Sequence, residues 1–88
     1  MIKNYHCGDL LSPALKDMVE KKLAKLDKYN FEPEAVIDIT MSKEGKDFAM
    51  KLQLQANGVN AMAKAVSGDM YKNIDECLDK LNSQISKK

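Results

Sequence analysis

The sequence predicts a single α+β domain over residues 1–88, with its elements in the order β-α-β-β-β-α. Two observations favour this fold. Segments 12–29 and 70–85 carry apolar residues at the spacing of amphipathic helices. Between them, three segments alternate apolar and polar residues, which is typical of strands with one buried face. A length of 88 residues and a hydrophobic fraction of 44% fit one small core.

The first two elements are a short strand and a helix. Residues 2–6 form a strand candidate with poor alternation. The helix starts at Ser12-Pro13, because Ser12 can accept hydrogen bonds from the free backbone N–H groups and proline suits the first helical position. We expect the helix to end near Tyr29. Its apolar stripe consists of Leu15, Val19, Leu23 and Leu26, with Met18 and Tyr29 at the edge.

Three strands follow this helix. Residues 35–42 and 47–56 alternate apolar and polar side chains on either side of a charged turn. Asn57-Gly58 is a strong hairpin signal, because both positions tolerate the positive φ of a type I′ turn. Residues 59–66 form the last strand, and its small core-facing residues predict a helix packed close over it. The residues that we expect to face the core are Val59, Ala61, Ala63 and Ala65.

The last helix opens at Ser67-Gly68-Asp69. Its apolar stripe comprises Met70, Ile74, Cys77, Leu78, Leu81 and Ile85. Strands with one polar face predict a sheet exposed on one side, so both helices must cover the other side. A right-handed crossover through the first helix makes the first two strands parallel, and the hairpins make the others antiparallel. The predicted architecture is a four-stranded mixed sheet with both helices on one face.

Residues that could form an enzyme site are scarce. The single histidine, His6, is next to Cys7 on the first strand, so the two side chains should point to opposite faces. A thiol enzyme that uses this pair is therefore the least favoured function. The sequence contains no glycine-rich phosphate loop and no set of metal ligands at a suitable spacing. We expect no catalytic residue, no metal, no cofactor and no small-molecule substrate.

Composition and targeting signals indicate where the protein resides. The chain has 14 basic residues, all of them lysine, against 13 acidic residues, for a net charge of +1. No apolar run is long enough to span a bilayer, and the first residues lack the apolar stretch of a signal peptide. We therefore expect a cytoplasmic protein without membrane contact. Its two cysteines should be unpaired, with Cys77 buried as a small hydrophobe.

The lysines of the two helices form a pattern. On the helical wheel of the first helix, three lysines fall within about 60° of one another, and a fourth lies beside them. Two further lysines share one face of the last helix. These residues are Lys21, Lys25, Lys28, Lys22, Lys80 and Lys87. The pattern is compatible with an ordinary solvated surface. The other interpretation, which the pattern alone favours less, is a track of ammonium groups that binds the phosphates of a nucleic acid without reading its sequence.

Both helices resemble those of a known family. The first, SPALKDMVEKKLAKLDKY at residues 12–29, resembles the first helix of the ribosome hibernation-promoting factor family, which includes the ribosome-associated inhibitor. Residues 67–88 resemble the final helix of that family in their DMY opening and LDKL run, and the ANGV hairpin precedes them at the corresponding distance. The resemblance covers residues 12–88. It fits a short family member or the N-terminal domain of a long one.

This resemblance implies a fold and a function. The fold is β-α-β-β-β-α with both helices on one face, similar to double-stranded-RNA-binding domains. Members are not enzymes: they occupy the messenger and transfer RNA channel of the small ribosomal subunit, inhibit translation and promote hibernation under stress and in stationary phase. The implied partner is the small subunit with its ribosomal RNA, bound by a protein that is monomeric off the ribosome. The implied rRNA-binding residues are Lys22, Lys25, Lys28, Lys80 and Lys87.

Three departures from the family bear on its RNA contacts, and one other function stays open. Ser83 stands where the family commonly has arginine, and without any arginine every phosphate contact is a point charge instead of a bidentate fork. The first strand also matches the family poorly. The alternative is a protein-interaction module that uses the exposed face of the sheet and does not bind RNA. The residues of that face are Asp38, Thr40, Ser42, Lys51, Gln53, Gln55, Asn60, Met62 and Lys64.

Overall fold

A computed structural model of the protein describes residues 1–29, 31–56 and 58–86. The order of elements is the predicted one. The strands are β1 (Ile2–His6), β2 (Val36–Glu44), β3 (Asp47–Ala56) and β4 (Val59–Ser67), and the α-helices are α1 (Pro13–Leu23) and α2 (Met70–Ser86). A short 3₁₀ turn, Gly8–Leu10, precedes α1, and a second 3₁₀ segment, Ala24–Tyr29, follows it and is called here the 3₁₀ extension.

The four strands form one mixed sheet in the order β1-β2-β3-β4. β1 runs parallel to β2 with Ile2 opposite Val36, as the crossover through α1 requires, and this pairing fixes the register of the first strand. The β2–β3 and β3–β4 pairs are antiparallel, and Leu52 in the middle of β3 lies opposite both Ile39 and Ala63. β1 and β4 are therefore the two edges of the sheet.

Both helices pack on the same face of the sheet and enclose one core with it, as predicted. Each central strand contributes alternate residues, and each helix contributes its apolar stripe. The almost fully inaccessible apolar residues are Val19, Leu26, Ala35, Ile37, Ile39, Met50, Leu52, Leu54, Ile74, Cys77 and Leu81. Ala61, Ala63 and Ala65 are also buried, and their small size lets α2 lie close to β4.

The first helix differs from the prediction after Leu23. The α-helix ends there, and the chain continues to Tyr29 as the 3₁₀ extension. The apolar spacing changes at the same point, from every fourth residue up to Leu23 to every third residue through Leu26 and Tyr29. Three residues per turn keep Leu26 and Tyr29 in line on the inner side. The same geometry aligns Lys25 with Lys28 on the exposed side.

Both α-helices begin at a side-chain cap, and Asp69 caps α2 by accepting a hydrogen bond from the Tyr71 N–H at 2.9 Å. The Ser12 hydroxyl accepts a hydrogen bond from the Leu15 N–H at 3.2 Å, as predicted. Ser67 ends β4 instead of opening α2, which begins at Met70. Asn73, only 1% exposed, donates to the Phe48 carbonyl at 2.9 Å and accepts from the Ser67 hydroxyl at 2.8 Å. This buried amide fixes the start of α2 against β3 and β4.

The predicted hairpin between β3 and β4 is formed. Gly58 has a φ of +73°, the left-handed region that favours glycine; Asn57 lies outside the described residues. Within the described ranges, no helix has the length and apolar character needed to cross a membrane.

Candidate nucleic-acid interface

Four of the five predicted RNA-binding lysines lie in the part of the chain that the structure describes. Lys22 lies in α1, Lys25 and Lys28 in the 3₁₀ extension, and Lys80 in α2. All four therefore belong to the helical layer, which covers one face of the sheet and leaves the other face open. Lys87 lies outside the described residues.

Lys25 and Lys28, called here the outer lysines, are both exposed. They lie one 3₁₀ turn apart, which separates their Cα atoms by about 6 Å along the axis. The Lys28 ammonium lies 5.2 Å from the centroid of the Tyr29 ring, within the range of cation–π attraction. No carboxylate among the described side chains forms an ion pair with either residue. Their positive charges are accessible to an external anion.

Lys22 and Lys80, called here the inner lysines, have partners within the molecule. The Lys22 Nζ lies 2.5 Å from the Asp75 Oδ1, so this ion pair joins α1 to α2. The hydrogen bond to Asp75 raises the pKa of Lys22. The Lys80 Nζ donates to the Lys64 carbonyl at 3.1 Å and lies 3.9 Å from a carboxylate oxygen of Glu76. The helical wheel does not distinguish the inner lysines from the outer lysines, whereas the structure does.

Lys80 also takes part in covering the outer edge of β4. The Gln84 side chain accepts a hydrogen bond from the Met62 N–H at 3.0 Å and donates one to the Met62 carbonyl. Lys80 binds the next outward-facing carbonyl, that of Lys64. Exposed strand edges promote pairing with other chains. These two side chains of α2 therefore protect the edge of β4, a role that the sequence did not predict for either of them.

The acidic flank of α1 is partly neutralised by β1. Glu20 accepts hydrogen bonds from the Lys3 ammonium at 2.6 Å and from the Tyr5 hydroxyl at 2.7 Å. The bonds from Lys3 and Tyr5 lower the pKa of Glu20. Burial, together with the neighbouring Glu20, raises the pKa of the Tyr5 hydroxyl. The network ties the edge strand to α1 and compensates one negative charge near the lysines.

The Cys7 and His6 side chains diverge, as predicted. Cys7 is buried, its Sγ lies 3.5 Å from the Ile39 carbonyl oxygen, and burial raises the pKa of its thiol. His6 is exposed, with its Nε2 3.4 Å from Asp38 on the open face. The two groups therefore do not form a nucleophile–base pair. Burial likewise raises the pKa of the Cys77 thiol to about 11, which keeps it protonated.

The described residues contain no cluster of three or more histidine, cysteine, aspartate or glutamate side chains that could hold a metal ion. The open face of the sheet, the surface of the alternative interaction module, is polar with dispersed apolar groups. Ile2 is exposed on β1, and Met62 and Val66 are exposed on β4. Because β2 and β3 separate these two edges, the apolar side chains do not form one continuous patch of the kind that marks a protein interface.

Solved structures define the class of this fold. The N-terminal domain of Thermus thermophilus Protein Y superimposes with a TM-score of 0.81 at 29% identity, covering 99% of this chain and 98% of that chain. A ribosomal subunit interface protein from Coxiella burnetii superimposes with a TM-score of 0.79 at 29% identity, covering 99% and 96%. The protein therefore has the α+β fold that these two solved structures share.

Sequence relatives identify the family. The family model described as Sigma 54 modulation protein / S30EA ribosomal protein matches residues 10–88. The ribosome hibernation promoting factor of Azotobacter vinelandii is 31% identical over 77 residues, which cover 88% of this chain and 71% of the relative. The corresponding factor of Lactococcus lactis is 35% identical over 80 residues, covering 88% and 43%. The chain belongs to this family, and the resemblance of its two helices to hibernation factors is confirmed.

Proposed function

We propose that this protein is a cytoplasmic, non-enzymatic ribosome hibernation factor that acts through a single ribosome-binding domain over residues 1–88. It inhibits translation by occupying the messenger and transfer RNA channel of the small subunit. The observation that carries this proposal is that the outer lysines are exposed, and have no ion-pair partner among the described side chains, on a fold that belongs to the hibernation factor family. The relatives from Azotobacter vinelandii and Escherichia coli, which match along 88% of this chain, carry the name ribosome hibernation promoting factor.

The chemistry of the outer lysines suits an RNA backbone. Ammonium groups neutralise phosphates and release bound counterions, which gives affinity without base readout. Such binding weakens steeply as salt rises. Because the chain has no arginine, each contact is a single point charge, and the shape of the domain must supply the rest of the specificity. A reversible inhibitor needs this combination of moderate charge and good fit.

Occlusion is the mechanism that the geometry supports best. The domain has a well-packed core and measures 36 × 23 × 17 Å. A body of this size that is anchored by its helical layer excludes other ligands from the space that it fills. Occlusion requires no reacting group, in keeping with the divergence of Cys7 and His6. It also predicts stoichiometric action, with inhibition that saturates at one protein molecule per ribosome.

The five lysines contribute unequally to this binding surface. The ammonium groups of Lys25 and Lys28 are available to phosphates in the free protein. Lys22 must first break its ion pair with Asp75, and Lys80 its hydrogen bond to the Lys64 carbonyl. Lys87 is included in the proposed surface because its position matches a basic position of the family. The protein is a monomer off the ribosome in this proposal, and the contacts of Lys80 and Gln84 favour that state at one of the two sheet edges, because they cover the outer edge of β4.

Co-sedimentation tests the proposal. Purified protein is mixed with small subunits, with large subunits, or with small subunits whose channel already holds messenger and transfer RNA. We expect the protein to sediment with empty small subunits, and to do so much less when the channel is filled. Failure to sediment with small subunits contradicts the ribosomal function. Equal binding to filled and empty subunits contradicts the location in the channel and leaves a ribosomal function elsewhere.

A further inference from the structure

The ion pair between Lys22 and Asp75 lies on the surface that faces RNA if the proposed function is correct. Its two members are unequally accessible: the Lys22 side chain is 29% exposed, and the Asp75 side chain is 52% exposed. The ammonium is therefore the more enclosed partner, and the carboxylate lies nearer to solvent. A phosphate that approaches Lys22 meets a negative charge that already occupies the ammonium at 2.5 Å.

The surroundings of Asp75 add further negative charge. Asp75, Glu76 and Asp79 line a shallow groove of about 500 Å³ along the flank of α2, together with Lys72 and Lys80. Three carboxylates thus face two ammonium groups there. The outer lysines have no described carboxylate as an ion-pair partner. The proposed RNA surface therefore has a positive part at the 3₁₀ extension and a self-compensated part at α2.

We propose that Asp75 acts as an internal competitor of RNA phosphate, holding Lys22 in the free protein and limiting what Lys22 contributes to ribosome binding. This inference rests on the proposed function and adds a residue that regulates the affinity of that same surface. When Lys22 leaves Asp75 for a phosphate, the Asp75 carboxylate stays uncompensated beside that phosphate and retains cations there, so the net release of counterions from the RNA is small. Lys22 then adds little to the salt dependence of binding, and the domain stays readily reversible despite its many lysines.

The competitor role makes the opposite prediction to a simple positioning role. If Asp75 merely orients Lys22 toward RNA, its removal weakens binding, because the ammonium loses its placement. If Asp75 competes with phosphate, its removal strengthens binding, because Lys22 no longer exchanges one anion for another. The direction of the change therefore separates the two roles without any assumption about its size.

The test compares Asp75→Asn with Glu44→Gln. Both changes keep the shape of the side chain, remove one negative charge and break one lysine ion pair. They differ in location, because Glu44 pairs with Lys64 on the open face of the sheet, at 3.3 Å. Dissociation constants for small subunits are measured from low to moderate KCl. We expect Asp75→Asn to bind up to about fivefold more tightly at low salt, the range of an exposed ion pair. Its log–log salt slope should be steeper by roughly 0.7 to 0.9, and Glu44→Gln should match wild type.

A mutant cycle with Lys22→Gln completes the experiment. In the wild-type background this change should alter affinity less than about twofold. In the Asp75→Asn background it should abolish the gain in affinity, because both effects depend on the Lys22 ammonium. Equal or weaker binding by Asp75→Asn overturns the competitor role. The double variant Lys25→Gln/Lys28→Gln separates the two proposals. If it binds as tightly as wild type, the proposed function fails. If it binds more weakly, the result for Asp75→Asn tests the competitor role alone. Thermal melts establish that every variant is folded in the assay.

Discussion

The outer and inner lysines carry the same charge within a short stretch of helix, yet the fold gives them different partners. Lys25 and Lys28 project from the 3₁₀ extension and have no described carboxylate as an ion-pair partner. Lys22, only three residues earlier, binds Asp75 of α2 at 2.5 Å. Lys80 binds the edge of β4. The difference teaches that packing between helices, and not the count of basic residues, decides how much charge a surface offers to RNA.

The largest expected effect comes from breaking the scaffold that holds the inner lysines. Leu81 is fully buried in α2, next to Lys80. We expect Leu81→Ala to lower the free energy of unfolding by about 2 to 5 kcal/mol, because it leaves a cavity in a small core. The thermal midpoint should then fall by about 10 °C or more. Met62→Ala, at an exposed position, is the control and should change the midpoint little; an equal effect of both changes contradicts the described core.

A smaller loss of stability is expected at the start of α2, whose position determines where Asp75 meets Lys22. Asn73→Ala removes the buried amide and leaves the Phe48 carbonyl without its donor. We expect a loss of about 1 to 3 kcal/mol in the free energy of unfolding, measured by denaturant titration. The matched control is Asn60→Ala, at an exposed position of β4. Equal stability of the Asn73→Ala variant and wild type contradicts the anchoring role of the amide.

The acidic flank of α1 gives a pH-dependent prediction. The folded state lowers the pKa of Glu20 below its ordinary value of 4.5, so the bonds to Lys3 and Tyr5 stabilise the protein above that pH. This stabilisation is lost as the pH falls through the lowered pKa. Glu20→Gln should therefore have a lower free energy of unfolding than wild type at pH 7, by about 0.5 to 1 kcal/mol for a partly exposed pair, and the difference should shrink in acid. A difference that does not depend on pH contradicts the ionic network; Glu34→Gln is the control.

The smallest effect is expected at the histidine that ends β1 and at the thiol of the residue that follows it. His6→Ala/Cys7→Ala leaves both the outer and the inner lysines unchanged. We expect translation inhibition in a cell-free extract to change less than about twofold once the variant is shown to be folded, because truncating one small buried side chain is a minor change in packing. Loss of inhibition by a folded variant contradicts an occlusion mechanism without catalysis.

Much of the fold could be predicted because it follows from local patterns. Alternation fixed the buried faces of the three long strands, and apolar spacing located both helices. The end of α1 at Leu23 also had a local signal, since the apolar spacing changes from four residues to three at that point. An interpretation based on 100° per residue throughout missed this change. The alignment of Lys25 with Lys28 follows from it.

The partners of the site residues could not be predicted in the same way. The Lys22–Asp75 ion pair depends on the distance and rotation of α1 relative to α2, which no segment encodes by itself. The buried role of Asn73 depends on Phe48 and Ser67, which belong to two different strands. Helical position gave the direction of each lysine, but only the packed structure shows which of these charges are already compensated.

The salt dependence of small-subunit binding tests the central claim most directly. Lys25→Gln/Lys28→Gln removes the outer lysines, and Lys43→Gln/Lys46→Gln removes the same charge from exposed positions at the β2–β3 turn. If the outer lysines contact phosphates, the first variant binds more weakly and its log–log salt slope is shallower by roughly 1.4 to 1.8, while the second stays close to wild type. If the first variant keeps the affinity and slope of wild type, these lysines are ordinary solvated surface and the RNA-binding role of the helical layer is wrong.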